Sequence, residues 1–242
     1  MDDQFDLRDF SNICRLFPLR EVVLFPHAVL PLHIFEPRYR QMTEDALADD
    51  QLVTMVQLRP QGPGKVLGSP AIAEVACLGQ ILQHERLPDG RFNFLLLGRK
   101  RVRLIREIPS NKPYRLAEAE VLEDRGDELP EEPRRSELVA LFRRVFQGER
   151  EIDPDLGALL ETALPLSVLT DIIAHALGLP PEIKQDLLAE TDVARRVSHL
   201  GRSSARSLIR ALARPTNHAR SRPHLASISK APARLDFPRA TP

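Results

Sequence analysis

The 242-residue chain has no tryptophan, two tyrosines and two cysteines, and no apolar run near the roughly 18 residues that a membrane helix requires. The shortage of large aromatics leaves little for stacking nucleic-acid bases. Cys14 and Cys77 sit in no CxxC pattern, and no HxxxH pair accompanies them, which excludes the usual zinc spacings. In a reducing compartment both read as small buried hydrophobes. The N-terminus, MDDQFDLRDF, is acidic and lacks the basic and apolar regions of a secretory signal, so the expected location is cytoplasmic. Lysine is confined to Lys65, Lys100, Lys112, Lys184 and Lys230, and arginine supplies the remaining basic charge.

What is present is ordinary for a globular chain, with 43% apolar and 28% charged residues, so a packed core is within reach. The formal net charge of zero hides an uneven distribution. From Arg202 onward nine basic residues face Asp236 alone, leaving 25 basic and 33 acidic residues in the body.

The segment Leu16 to Tyr39 carries two β-branched and aromatic runs, Val22–Phe25 and Val29–Phe35, punctuated by Pro18, Pro26, Pro31 and Pro37. Proline cannot donate to a ladder, so the segment predicts short strands broken at fixed points rather than a helix. Residues 13–123 read as β-rich, with one helix over 36–48 and further strands at 51–58, 81–82, 92–97, 102–105 and 114–122. Asp89-Gly90, between apolar runs, predicts a hairpin with positive φ at both central positions. The polar stretch 123–135 marks a boundary, and a helical period follows over 131–200. Pro133 and Asp153-Pro154 start two helices there, Ser167 caps a third, Pro181 opens a fourth and Asp192 caps a fifth. Residues 201–242 read as a basic, disordered tail in which Leu208, Ile209 and Leu212 prolong a helix briefly.

The N-terminal segment with HIFEPRYRQM (33–42), the LPDG turn (87–90), GRKRVRLI (98–105) and LTDIIAHALGLPPEIKQDLLAETDVARRV (169–197) together resemble the N-terminal, substrate-binding domain of Lon proteases, in its free-standing bacterial form. The resemblance covers residues 13–200. It implies an α+β fold, a PUA-like β pseudo-barrel followed by a small helical bundle. It also implies recognition of exposed apolar or unstructured polypeptide, without the ATPase and peptidase domains of full-length Lon.

The residues agree with an absence of catalysis. Gly64-Lys65 is followed by Val66, and Arg59 stands where a P-loop needs its first glycine. None of the five lysines lies in the Lon peptidase signature, no GxSxG elbow occurs, and His84-Glu85 lacks a second histidine. No cofactor or metal is expected. The expected partners are unfolded or degron-bearing polypeptides and a separate protease, with no membrane. Phe35, Tyr39, Phe92 and Phe94 are the candidate polypeptide-binding surface. The chain would then be an adaptor or chaperone-like factor in protein quality control. An alternative reading, RNA binding, rests on a candidate basic patch of Arg99, Arg101 and Arg103 with the basic tail. Glu36, Arg38 and Arg40 read as a salt-bridged helix start, and His175 as a packed histidine.

Overall fold

The structure is a computed structural model; it describes residues 10–59, 70–126, a few helical positions between 135 and 143, and 164–212. Its strands are β1 (Ile13–Leu19), β2 (Val29–Ile34), β3 (Leu52–Gln57), β4 (Val75–Arg86), β5 (Phe92–Ile108) and β6 (Leu116–Leu122). Helix α1 (Pro37–Leu47) separates β2 from β3, and α2 (Leu166–Ala176), α3 (Pro181–Ala189) and α4 (Val193–Leu212) follow the strands.

The strand order is β2-β5-β4-β3-β1-β6, and β6 also pairs with β5, so β1, β3, β4, β5 and β6 close into a ring. Only the β1–β3 pair is parallel. β5 makes closure possible by its length: one edge pairs with β4, while the other takes β2 along 92–97 and β6 along 101–108. Cys14, Leu16, Leu52, Val56, Ala76, Leu78, Val102, Ala117 and Ala119 form one buried cluster, contributed by every strand of the ring. The alternate side chains of the same strands, such as Val53, Met55, Cys77 and Ile81, belong to a second core. That core also takes Met42 and Ala46 of α1, Leu169 and Ile173 of α2, Leu187 and Leu188 of α3, and Val193 and Leu200 of α4. β3 is therefore buried on both faces.

The prolines sit where a missing donor costs nothing. Leu16 donates to Arg115 O on the β6 side and Leu19 accepts from Leu58 N on the β3 side, so Pro18 points past the end of β6. Pro31 lies in β2, the terminal strand of the order, and Pro37 opens α1 at N1. Asp192 caps α4 as expected, its Oδ1 accepting from Arg195 N at 2.9 Å.

Several expectations are corrected. Val22–Phe25 is not a strand: it is an irregular connection whose Val23, Leu24 and Phe25 are buried, and the first strand lies earlier, at Ile13–Leu19. The runs at 92–97 and 102–105 are one continuous strand, β5. Ser167 is inside α2 and buried, and Pro165 occupies the cap position without a side-chain bond. In the hairpin, Gly90 N donates to Leu87 O and Leu87 N to Arg91 O, both at 2.8 Å. Pro88 and Asp89 are then the central residues, and only Gly90 has positive φ, +80°. Pro88 fixes φ near −65°, which rules out a turn with two positive central angles. α4 continues through Gly201 to Leu212. The helices expected from Pro133 and Asp153 lie largely outside the described residues, as does the tail beyond 212.

Candidate functional site

Pairing fixes which side chains share a face of the β2-β5-β4 region, because directly opposed residues project to the same side. Val29 opposes Leu97, Pro31 opposes Leu95, and His33 opposes Asn93. Across the next ladder, Leu95 opposes Gln83 and Asn93 opposes Glu85. The intervening set, Leu30–Leu96, Leu32–Phe94 and Ile34–Phe92, faces the second core. The outer face thus carries a strip of Val29, Pro31, Leu95 and Leu97. Leu82, the extra residue of a bulge between Ile81 and Gln83, borders it, and Phe35 extends it at the end of β2.

Three of the five exposed large hydrophobics among the described residues lie on or beside this strip, the other two being Ile13 on β1 and Ile105 on β5. Phe35 is 61% exposed, and Val29 and Leu82 are each 44% exposed. Phe35 stacks on His33 at 6.3 Å between ring centroids. A polar fringe closes the strip at the hairpin. His33 Nδ1 and Asn93 Oδ1 are 2.7 Å apart, and Asn93 Nδ2 donates to Glu85 Oε2 at 3.4 Å. Arg91 is held to Asp89 beside them, which draws the Asp89 carboxyl below its usual range. Among the described residues β2 pairs on one edge only, so main-chain donors and acceptors lie next to the apolar strip.

The sequence candidates are divided by this geometry. Phe35 lies on the surface, but Tyr39, Phe92 and Phe94 are 4%, 3% and 4% exposed and belong to the core. The surface expected of them is corrected by one residue of register: the odd members of β5, Leu95 and Leu97, face outward. Asn93 was the available signal, since a polar residue between Phe92 and Phe94 marks the solvent side. Tyr39 instead packs edge-on against Phe17 at 4.5 Å. Above it, Arg38 pairs with Glu36 at 2.8 Å as expected, whereas Arg40, the third residue expected in that salt-bridged helix start, places its guanidinium beside Gly90 of the hairpin.

Arg99, Arg101 and Arg103 do not form a joint surface. Leu78 opposes Lys100 while Gly79 opposes Gly98, so Arg99 is a bulge residue and the side-chain phase of β5 switches there. Before the bulge Phe92, Phe94, Leu96 and Gly98 face the second core; after it Arg101 does. Arg99 donates to Gln80 Oε1, and Arg103 pairs with Glu120 at 2.7 Å. Arg101, 3% exposed, donates to both carboxylate oxygens of Asp171 in α2 and to Leu188 O in α3. Arg196 of α4, also buried, lies 3.3 Å from Asp171 through Nε and grips Asp124 through both terminal nitrogens. Two arginines and two aspartates therefore join the barrel to α2, α3 and α4. Burial opposes the charge on Asp124, but Arg196 and Arg101 outweigh it and hold its carboxyl below the ordinary range.

Nothing in these groups builds a nucleophile. Lys184 is pushed down to about 8 by burial, yet its ammonium donates to His175 O at the end of α2 rather than to a serine. His175 lies edge-on to Phe25 and is pushed down to about 4, by burial first and by Lys184 second. Cys14 and Cys77 are buried free thiols in separate clusters, and burial raises Cys14 to about 11. Among the described residues no three His, Cys, Asp or Glu side chains converge as a metal site, and no helix is long and apolar enough to cross a membrane.

The molecule is thus an α+β protein, a small closed barrel locked to a helical unit, with its open apolar surface on the barrel's outer sheet. The chain belongs to the family of the ATP-dependent protease La (LON) substrate-binding domain, whose model matches residues 13–202. It is 29% identical over 197 residues to the Lon protease of Xanthomonas oryzae pv. oryzae and 28% over 186 residues to that of Escherichia coli strain K12. Each alignment covers 76% of this chain, but the chain spans only 22% and 24% of those relatives' lengths. Among solved structures it is similar to a Lon N-terminal domain protein from Xanthomonas campestris, with a TM-score of 0.58 at 22% identity. That match covers 78% of this chain and 96% of the other. The N-terminal domain of Mycobacterium avium complex Lon protease gives 0.59 at 16% identity, covering 80% and 98%. At these identities the likeness shows the fold.

Proposed function

We propose that the chain binds extended, apolar polypeptide segments on the outer face of β2, β5 and β4, and that it acts as an adaptor or chaperone-like factor for unfolded or degron-bearing clients. The observation that carries this reading is the strip Val29–Pro31–Leu95–Leu97 with Phe35 at its end, set beside the single-paired edge of β2. An incoming segment laid along β2 meets two kinds of partner there: main-chain groups that are indifferent to sequence, and apolar side chains that favour exposed hydrophobic residues. Burying apolar surface contributes about 25 cal/mol per Å², enough for broad, moderate affinity without a specific sequence. Membership of a family described by substrate binding supports the reading.

The test is binding of a reduced, permanently unfolded model protein by the full chain, compared with Phe35→Asp and Leu97→Asp. Each places a carboxylate on the strip without entering the core. Binding by the parent, weakened at least about tenfold in each variant (a loss of about 1.4 kcal/mol), is the expected result. Equal binding by all three proteins refutes the site, and no binding by any of them refutes the function.

A further inference from the structure

The hydrogen bonds between β2 and β5 fix which main-chain groups of β2 are left over. Gly98 N donates to Ala28 O at 2.9 Å, just before the run in which Val29 opposes Leu97 and Ile34 opposes Phe92. In an antiparallel ladder every second residue turns its N–H and C=O to the same neighbour. Leu30, Leu32 and Ile34 therefore face β5, and Val29, Pro31 and His33 face the free edge. That edge offers the N–H of Val29 and of His33 but three carbonyls, because Pro31 has no N–H. The side chains of the same three residues lie on the apolar strip, where Val29 continues into Leu97, Pro31 into Leu95 and His33 into Asn93.

Residues 213–242, beyond the described part, hold four large apolar side chains: Leu225, Ile228, Leu235 and Phe237. Leu225 and Ile228 are three apart and would project to opposite faces of a strand, whereas Leu235 and Phe237 are two apart and would share one. Pro232 and Pro238, on either side of them, both fall on the other parity. In an antiparallel pairing with β2 the main-chain groups of Ala233, Leu235 and Phe237 would point at the edge, and neither proline would owe it a donor. With Leu235 opposite Pro31, Phe237 extends the Val29–Leu97 row and the small Ala233 meets the polar His33–Asn93 row. The 23 positions from Leu212, the last residue of α4, to Leu235 can span up to about 75 Å. A domain of about 200 residues has a radius of gyration of only about 16 Å, so the edge is within reach. Charge favours the approach. Residues 213–242 carry six basic groups and one acid, whereas the chain before Arg202 carries 33 acidic and 25 basic residues.

We propose that residues 233–237 of this chain add to the free edge of β2 as a strand and compete there with incoming polypeptide. The inference rests on the polypeptide-binding reading and adds its regulation: the site carries its own tethered competitor. Tethering sets an effective concentration on the order of 1 mM. A segment with an intrinsic Kd of about 0.1 mM would then hold the edge about nine-tenths of the time and weaken a client about tenfold.

The experiment compares the full chain with Leu235→Asp/Phe237→Asp and, as a control, Leu225→Asp/Ile228→Asp. Two quantities are measured: amide hydrogen exchange by NMR in the free chain, and affinity for a reduced, permanently unfolded model protein. Leu235→Asp/Phe237→Asp should speed exchange at Val29 and His33 about tenfold and bind the model protein about tenfold more tightly, while the control keeps the parental values. Parental exchange at Val29 and His33 in the Leu235→Asp/Phe237→Asp chain overturns the proposal. So does parental affinity in that chain, or an equal effect of the control. If no form binds the model protein, the polypeptide-binding reading falls, and exchange at Val29 and His33 still decides whether the segment occupies the edge.

Discussion

Replacing Asp171 by Asn tests how the barrel is held to the helices. Asp171 is 1% exposed and accepts two hydrogen bonds from Arg101, with Arg196 at 3.3 Å on its other side. An amide of the same shape keeps the volume but withdraws the charge and turns one acceptor into a donor facing a guanidinium. Two buried arginines would then share Asp124 alone, with Arg101 reaching it at 3.4 Å. Breaking a buried pair from one side costs about 3–5 kcal/mol, because the surviving charge stays desolvated. With a urea m-value of about 2 kcal/mol/M, the unfolding midpoint should drop by roughly 1.5–2.5 M at unchanged m. Arg103→Ala breaks the half-exposed pair with Glu120 and should cost only about 0–1 kcal/mol. The Arg101→Met/Asp171→Leu double variant should recover part of the loss, since paired removal leaves fewer orphaned charges. An Asp171→Asn midpoint within experimental error of the Arg103→Ala value would refute the reasoning.

The remaining expectations concern packing and pH. At Gly98 a Cβ would lie 2.0 Å from the Phe25 carbonyl oxygen, so Gly98→Ala must displace the buried Val22–Phe25 connection. Thermal melting should show it destabilised by about 2–3 kcal/mol, and a wild-type melting temperature would contradict that close approach. His175 has a folded pKa of about 4, below its ordinary 6.5. As pH falls the unfolded chain takes the proton first, so stability is full above about 6.5 and is lost progressively towards 4. The loss reaches about 3 kcal/mol. His175→Leu should flatten that acid limb in denaturant titrations, though not wholly, because burial also lowers His27. An acid limb of the same steepness would show that His175 is solvated.

Much of the architecture was legible because local chemistry and tertiary need coincide. Pro37 and Asp192 start helices where proline and an N-cap acid should, and Leu87–Gly90 turns a hairpin because glycine supplies its positive φ. The LON-like segments carried the closed barrel, which no periodicity reveals. Val22–Phe25 was misread because a β-branched run is equally suited to a buried irregular connection, and only its tertiary surroundings decide.

The site was legible in residue type but not in direction. Phe92 and Phe94 are the larger apolar groups, yet the pairing of β2 with β5 turns them inward and Leu95 and Leu97 outward. Arg101 could not be separated from Arg99 and Arg103 by alternation, because the bulge at Arg99 resets the phase. Its partner Asp171 lies 70 positions away, and Arg196, which shares that carboxylate, lies 95 away, beyond any local pattern.

The most direct measurement of polypeptide capture is backbone amide NMR of the labelled chain titrated with an unfolded model protein. Chemical-shift changes and slowed exchange should concentrate in β2, in Leu95 and Leu97 of β5, and around Phe35 and Leu82, leaving α2 and α3 unmoved. Saturable shifts centred on the helices, with β2 and the odd positions of β5 unaffected, would contradict the assignment of this face.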